Sequence, residues 1–123
     1  MNNKVLFGLV SAVALFVGVS GAQAGDAAAG EKVYAQCKAC HSLEAGKKMV
    51  GPSLAGIVGK KAAGMEGFAY SDAMKNSGLT WDDASLAGYV ADPKGKIPGN
   101  KMAFAGIKDP TKLDDLIAFL KTK

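Results

Sequence analysis

The sequence predicts an all-α fold of about four to five short helices joined by long loops. Three observations carry that reading. Leu113, Leu116, Ile117 and Leu120 repeat at i, i+3, i+4 and i+7, the signature of one apolar helix face. Residues 42–67 are rich in glycine and keep no alternating strand pattern. Cap residues stand where helices should begin, at Asp26, Thr80 and Asp109. At 123 residues the chain holds one domain.

The first 24 residues read as a secretory leader. Lys4 gives a short positive start, Val5 to Val19 is apolar apart from Ser11 and two glycines, and Ala22-Gln23-Ala24 ends it. This run is shorter than the roughly 20 residues a membrane span needs. Cleavage after Ala24 would leave 25–123 as the working domain, exported into a periplasm.

Asp26 is placed to cap a helix over Ala27–Ala39, with Val33, Tyr34 and Cys37 on one side. The stretch 42–67 follows as wrapping loop. A short helix is predicted near Ser71–Ser77, stopped by Gly78. Thr80 opens the next, with Asp83 as capping-box partner, and it ends before Pro93. Lys94–Gly106 reads as loop, broken by Gly95, Pro98, Gly99 and Gly106. Asp109 and Pro110 start the last helix, which Lys121 and Lys123 close favourably for its dipole.

Within 25–123 there are 17 Ala but only 15 Val, Ile and Leu, a thin supply for a core. A bulky bound group would fill the interior. The chain has two cysteines and one histidine, all in Cys37-Lys38-Ala39-Cys40-His41. These counts exclude a disulfide-stapled mini-protein and a site of several histidines. Two cysteines three apart suit thioether bonds to the two vinyl groups of a haem, and the adjoining histidine can turn onto its iron. A redox dithiol uses the same spacing, usually in a βαβ setting that is missing here. Structural zinc wants a fourth ligand that the chain does not offer.

For the opposite face of the iron Met49, Met65, Met74 and Met102 are available. A methionine is by default core filler. Met102 is favoured because it lies in the Pro/Gly loop between Pro98-Gly99 and Phe104, and such a loop can carry a distant ligand over the haem.

Further pieces accompany the attachment motif in order: Gly30-Glu31 with Tyr34, Gly51-Pro52-Ser53-Leu54-Ala55-Gly56, Tyr70-Ser71-Asp72-Ala73 and Gly78-Leu79-Thr80-Trp81. Tyr89, Pro93, Ile97-Pro98-Gly99-Asn100-Lys101-Met102-Ala103-Phe104-Ala105-Gly106 and Asp115–Lys121 complete the set. In these the chain resembles the class I c-type cytochromes, small soluble bacterial relatives of mitochondrial cytochrome c. The resemblance implies one haem c bound through Cys37 and Cys40, with His41 and Met102 as axial ligands. It implies crossed first and last helices, Gly30 and Tyr34 meeting Leu116 and Phe119. It further implies that the Pro52 carbonyl orients His41 and that Tyr89 bonds near the Met102 sulfur. Tyr70 and Trp81 would hold a propionate, and Phe104 would cover the haem edge. Lys60 stands where the family often has Arg, and Met74 where mitochondrial members commonly carry Asn.

Two protein ligands leave the iron no open position, so the expected function is single-electron transport, not catalysis. Lys38, Lys47, Lys48, Lys94, Lys96 and Lys101 fall in segments expected round the haem edge, where they would steer transient docking of redox partners. The absence of Arg argues against nucleic acid. A monomer without stable membrane insertion is expected. The rival readings are a haem sensor or peroxidase with Met102 off the iron, and a thiol oxidoreductase with free Cys37 and Cys40.

Overall fold

A computed structural model describes residues 25–123; the leader reading falls on 1–24, outside the described residues. Five helices follow one another: α1 (Ala27–Tyr34), α2 (Asp72–Lys75), α3 (Asp83–Ala91), α4 (Pro93–Lys96) and α5 (Pro110–Leu120). No strand forms among the described residues, and the all-α expectation holds.

The Asp26 carboxylate caps α1, accepting from the N–H groups of Ala28 and Ala29 at 2.9 and 3.3 Å. α1 ends at Tyr34, short of the expected Ala39. The N–H groups of Ala35, Gln36 and Cys37 bond three residues back, to Lys32, Val33 and Tyr34, so the chain tightens as it enters the cysteine motif. Tyr34 holds this turn by donating its hydroxyl to the His41 carbonyl at 3.0 Å.

Residues 42–67 form the expected wrapping loop, pinned at intervals. Gly56 N–H reaches the Lys123 carbonyl at 3.0 Å. Gly59 N–H bonds Trp81 O, and Trp81 N–H bonds Lys60 O, both at 2.7 Å, around an isolated antiparallel bridge between Lys61 and Thr80. That bridge corrects the expected start of α3. Thr80 is committed to Lys61, and Asp82 is the cap, accepting from Ser85 N–H at 2.7 Å. Asp83 closes no capping box; its carboxylate pairs with Lys121 at 2.6 Å.

α2 is a single turn capped by Ser71, inside the predicted Ser71–Ser77. α4 appears where loop was expected. Pro93 pre-sets its first residue, and Asp92 accepts from Gly95 N–H at 3.1 Å.

α5 begins as predicted, with Asp109 accepting from Thr111 N–H at 2.9 Å and Pro110 in the first turn. Leu113, Leu116, Ile117 and Leu120 are all buried, with Phe119 beside them. The two terminal lysines make further contacts from the C-terminal end of α5. Lys121 reaches across to Asp83, and Lys123 lies 5.2 Å over the Phe119 ring.

α1 packs on α5 with backbones in contact. A Cβ on Gly30 would strike the Asp115 carbonyl and come within 2.7 Å of Phe119 Cβ. The Tyr34 and Phe119 rings sit 5.3 Å apart, and Asp26 N–H bonds the Asp115 carboxylate at 2.8 Å. Gly25 likewise lies against the Asp114 carbonyl. No helix among the described residues is long and apolar enough to cross a membrane.

Candidate haem site

One cavity of about 390 Å³ opens between the α1/α5 pair and the loops. Cys37, Cys40, His41, Pro52, Tyr70, Trp81, Tyr89, Met102 and Phe104 all line it, so residues from opposite ends of the sequence converge as expected.

Cys37 and Cys40 are free thiols, half-buried at the cavity wall. Burial, and secondarily the neighbouring Cys40, push the Cys37 thiol above its ordinary value. A redox dithiol usually sits in a βαβ setting, and among the described residues no strand forms. Among the described residues no three His, Cys, Asp or Glu gather to hold a metal, which disfavours zinc as well.

His41 is held from several sides. Its Nδ1 lies 2.7 Å from the Pro52 carbonyl oxygen. A carbonyl only accepts, so Nδ1 carries the proton and Nε2 keeps its lone pair for a metal. The Gly51 N–H donates to the Cys40 carbonyl at 2.7 Å, which brings the Gly51 backbone against the imidazole face. The role of Gly51 escaped sequence reasoning; its only signal was a glycine next to the proline that faces His41.

Of the methionines, Met65, Met74 and Met102 border the cavity, whereas Met49 does not line it and is 42% exposed. Met74 is fixed in α2, where its N–H bonds the Ser71 hydroxyl at 3.0 Å. Met65 N–H bonds the Tyr70 hydroxyl at 3.0 Å. The Met102 segment is anchored by Asn100, whose side-chain oxygen accepts from Met102 N–H at 2.9 Å. Asn100 was legible only as part of a motif, without a role.

Trp81 and Tyr89 pack at 5.1 Å between ring centres as part of the buried core, and both face the cavity. Burial pushes the Tyr89 phenol up to about 12, so it stays protonated and able to donate at neutral pH. Tyr70 meets Phe68 edge-on at 4.8 Å. Lys60, at the position noted as often Arg, donates to the Ala55 carbonyl at 3.1 Å. Phe104 is half-buried, its N–H bonded to Met102 O at 3.0 Å.

This donor set fits a haem. The walls are mostly apolar, with Ile57, Leu86, Val90, Leu116 and Leu120 among them. The polar lining includes two thiols, one imidazole with a free nitrogen, and Tyr70, Trp81 and Tyr89, with Asn100, Lys60, Lys61 and Lys101 also at the wall. A large flat apolar group with two reactive edges and a central metal needs that combination.

Comparison with known proteins agrees with the geometry. The family profile described as Cytochrome c matches residues 27–123. Cytochrome c2 of Blastochloris viridis is 52% identical over 119 residues, covering 96% of this chain and 91% of that protein. Cytochrome c2 iso-2 of Magnetospirillum fulvum is 58% identical over 89 residues, covering 72% and 93%. The solved structure of cytochrome cH from Methylobacterium extorquens superposes with a TM-score of 0.77 at 63% identity, over 80% of this chain and all of that one. The fold, the cysteine pair facing an apolar cavity and these relatives lead to one conclusion: the chain belongs to the cytochrome c family and is an electron-transfer protein, not an enzyme, carrying one haem c bound covalently through Cys37 and Cys40.

Proposed function

We propose that this carrier works with His41 and Met102 as the two axial ligands of its haem. The observation that carries the reading is the His41–Pro52 hydrogen bond, which leaves Nε2 free at a cavity that Met102 also borders. When bound, the haem c supplies a one-electron Fe(III)/Fe(II) couple. Pro52 fixes the imidazole tautomer. The Met102 thioether closes the position where a substrate or oxygen would otherwise bind, and it favours the reduced state relative to a second histidine. Tyr89 offers a neutral hydroxyl toward the Met102 sulfur, Tyr70 and Trp81 offer donors to a propionate, and Phe104 shields the edge.

Redox partners are met transiently at that edge. Lys38, Lys47, Lys48, Lys94, Lys96 and Lys101 are all exposed, and Lys101 borders the cavity. Lys47 lies 3.7 Å from the Glu44 carboxylate, which offsets part of its charge, so it steers less than the others. Acidic patches on a reductase and an oxidase or dehydrogenase complement this surface, and association slows as salt rises.

The working protein is residues 25–123, one monomeric domain released into the periplasm after cleavage behind Ala24. The apolar leader pattern supports this.

Visible spectra of the purified protein, oxidised and reduced, test the ligand set. A sharp reduced α-band that survives acid-acetone extraction, with a weak far-red ferric band, is expected. Met102→Leu should abolish the far-red band, and Met65→Leu and Met74→Leu should keep it. A high-spin ferric wild type would instead mark the sensor or peroxidase reading.

A further inference from the structure

We propose that Asn100 is a positioning residue for Met102, a buried anchor that holds the ligand-bearing loop to α4. The proposal rests on Met102 as axial ligand. Asn100 is 8% exposed, one of two buried polar residues in the described chain, yet its side chain is fully engaged. Its amide nitrogen donates to the carbonyls of Pro93 and Ile97 at 2.8 and 2.9 Å. Its oxygen accepts from Met102 N–H at 2.9 Å. Two carbonyls on one side and an N–H on the other allow only this orientation of the amide.

Those carbonyls belong to the first residue of α4 and to the residue that ends it. Gly99, at φ +88°, supplies the left-handed turn that folds Asn100 back over the helix. Downstream, Ile107 N–H bonds Val90 O at 3.0 Å and Lys108 reaches the Ala91 carbonyl at the end of α3. Between these ties the segment 102–106 keeps one backbone bond, Phe104 N–H to Met102 O. Asn100 is therefore the tie nearest the sulfur on the upstream side. A thioether is a weak neutral ligand, and it holds a metal only when its backbone is kept in place.

The test is competition for the sixth position. Ferric wild type and Asn100→Ala are titrated with imidazole while the far-red band is followed, and amide exchange of Met102 is measured in both. Loss of a buried hydrogen-bonding group is expected to raise imidazole affinity roughly ten- to hundredfold. The Met102 amide should exchange faster, with haem attachment unchanged. Asn100→Ser keeps a side-chain oxygen able to accept from Met102 N–H two residues on and severs the α4 side without burying a charge. It is expected to raise affinity severalfold, and it decides the matter if Asn100→Ala does not mature. Imidazole affinity and Met102 exchange at wild-type values in a variant would overturn the anchor alone. A wild type without the far-red band would overturn Met102 ligation and the anchor with it.

Discussion

Gly51 lies flat against the imidazole of His41: a Cβ at Gly51 would come 2.7 Å from Nδ1 and 2.9 Å from Nε2. Even alanine therefore forces the ring to move. Gly51→Ala is expected to tilt His41 away from Pro52 and destabilise the protein by about 1–3 kcal/mol, as overpacking does. Denaturant unfolding followed at the Soret band measures the loss, and a variant within 0.5 kcal/mol of wild type, taken as roughly the scatter of neutral substitutions, would contradict it.

Gly30 makes a similar demand at the α1/α5 contact, where a side chain would meet the Asp115 carbonyl. Gly46 makes a different one, with φ +76° and open space around it. Gly30→Ala should cost several kcal/mol because two helix backbones must part. Gly46→Ala should cost only about 1–2 kcal/mol, from left-handed backbone strain. Equal losses in thermal denaturation would refute the distinction.

Covalent attachment separates the two thiols from the ligands. With both Cys37→Ser and Cys40→Ser, no haem should remain on the chain after denaturing electrophoresis. Either single variant keeps one thioether and should stay stained. Stain retained in the double variant would show that neither sulfur is the attachment point.

Asp82 gives a pH signature. Its bond from Ser85 N–H holds the carboxyl below its ordinary range. A pKa lowered on folding means stability present above the unfolded value and lost as pH falls through the folded one. Asp82→Ala should thus melt below wild type at neutral pH, and the gap should close under acid. A gap that is constant across that range would mean the cap acts through something other than its charge.

The Lys121–Asp83 pair is short but exposed on both sides. Asp83→Asn should change stability by less than about 1 kcal/mol, and less still in high salt.

How far the sequence was readable depends on the range of the interactions. α5 was legible because cap, proline and apolar spacing are local to Asp109–Leu120. The start of α3 was not, because Thr80 and Asp82 are both competent caps and the contact that decides between them comes from Lys61. α1 was overextended because Tyr34 bonds a carbonyl beyond its own helix, on His41. At the cavity, the residues that carry chemistry were visible by type and spacing. Gly51 and Asn100 were not, since their roles lie in what approaches them: an imidazole face in one case, two carbonyls and an N–H in the other.

α5 serves two masters. Leu116 and Leu120 border the cavity, while Phe119 and the Asp115 carbonyl receive Tyr34 and Gly30. Without its prosthetic group the chain would leave the cavity-facing flank of that helix bare, so haem loading and the stability of the paired ends are expected to be coupled. Maturation is thereby written into the join between the termini. Loaded protein is expected to resist proteolysis at its two ends better than unloaded protein.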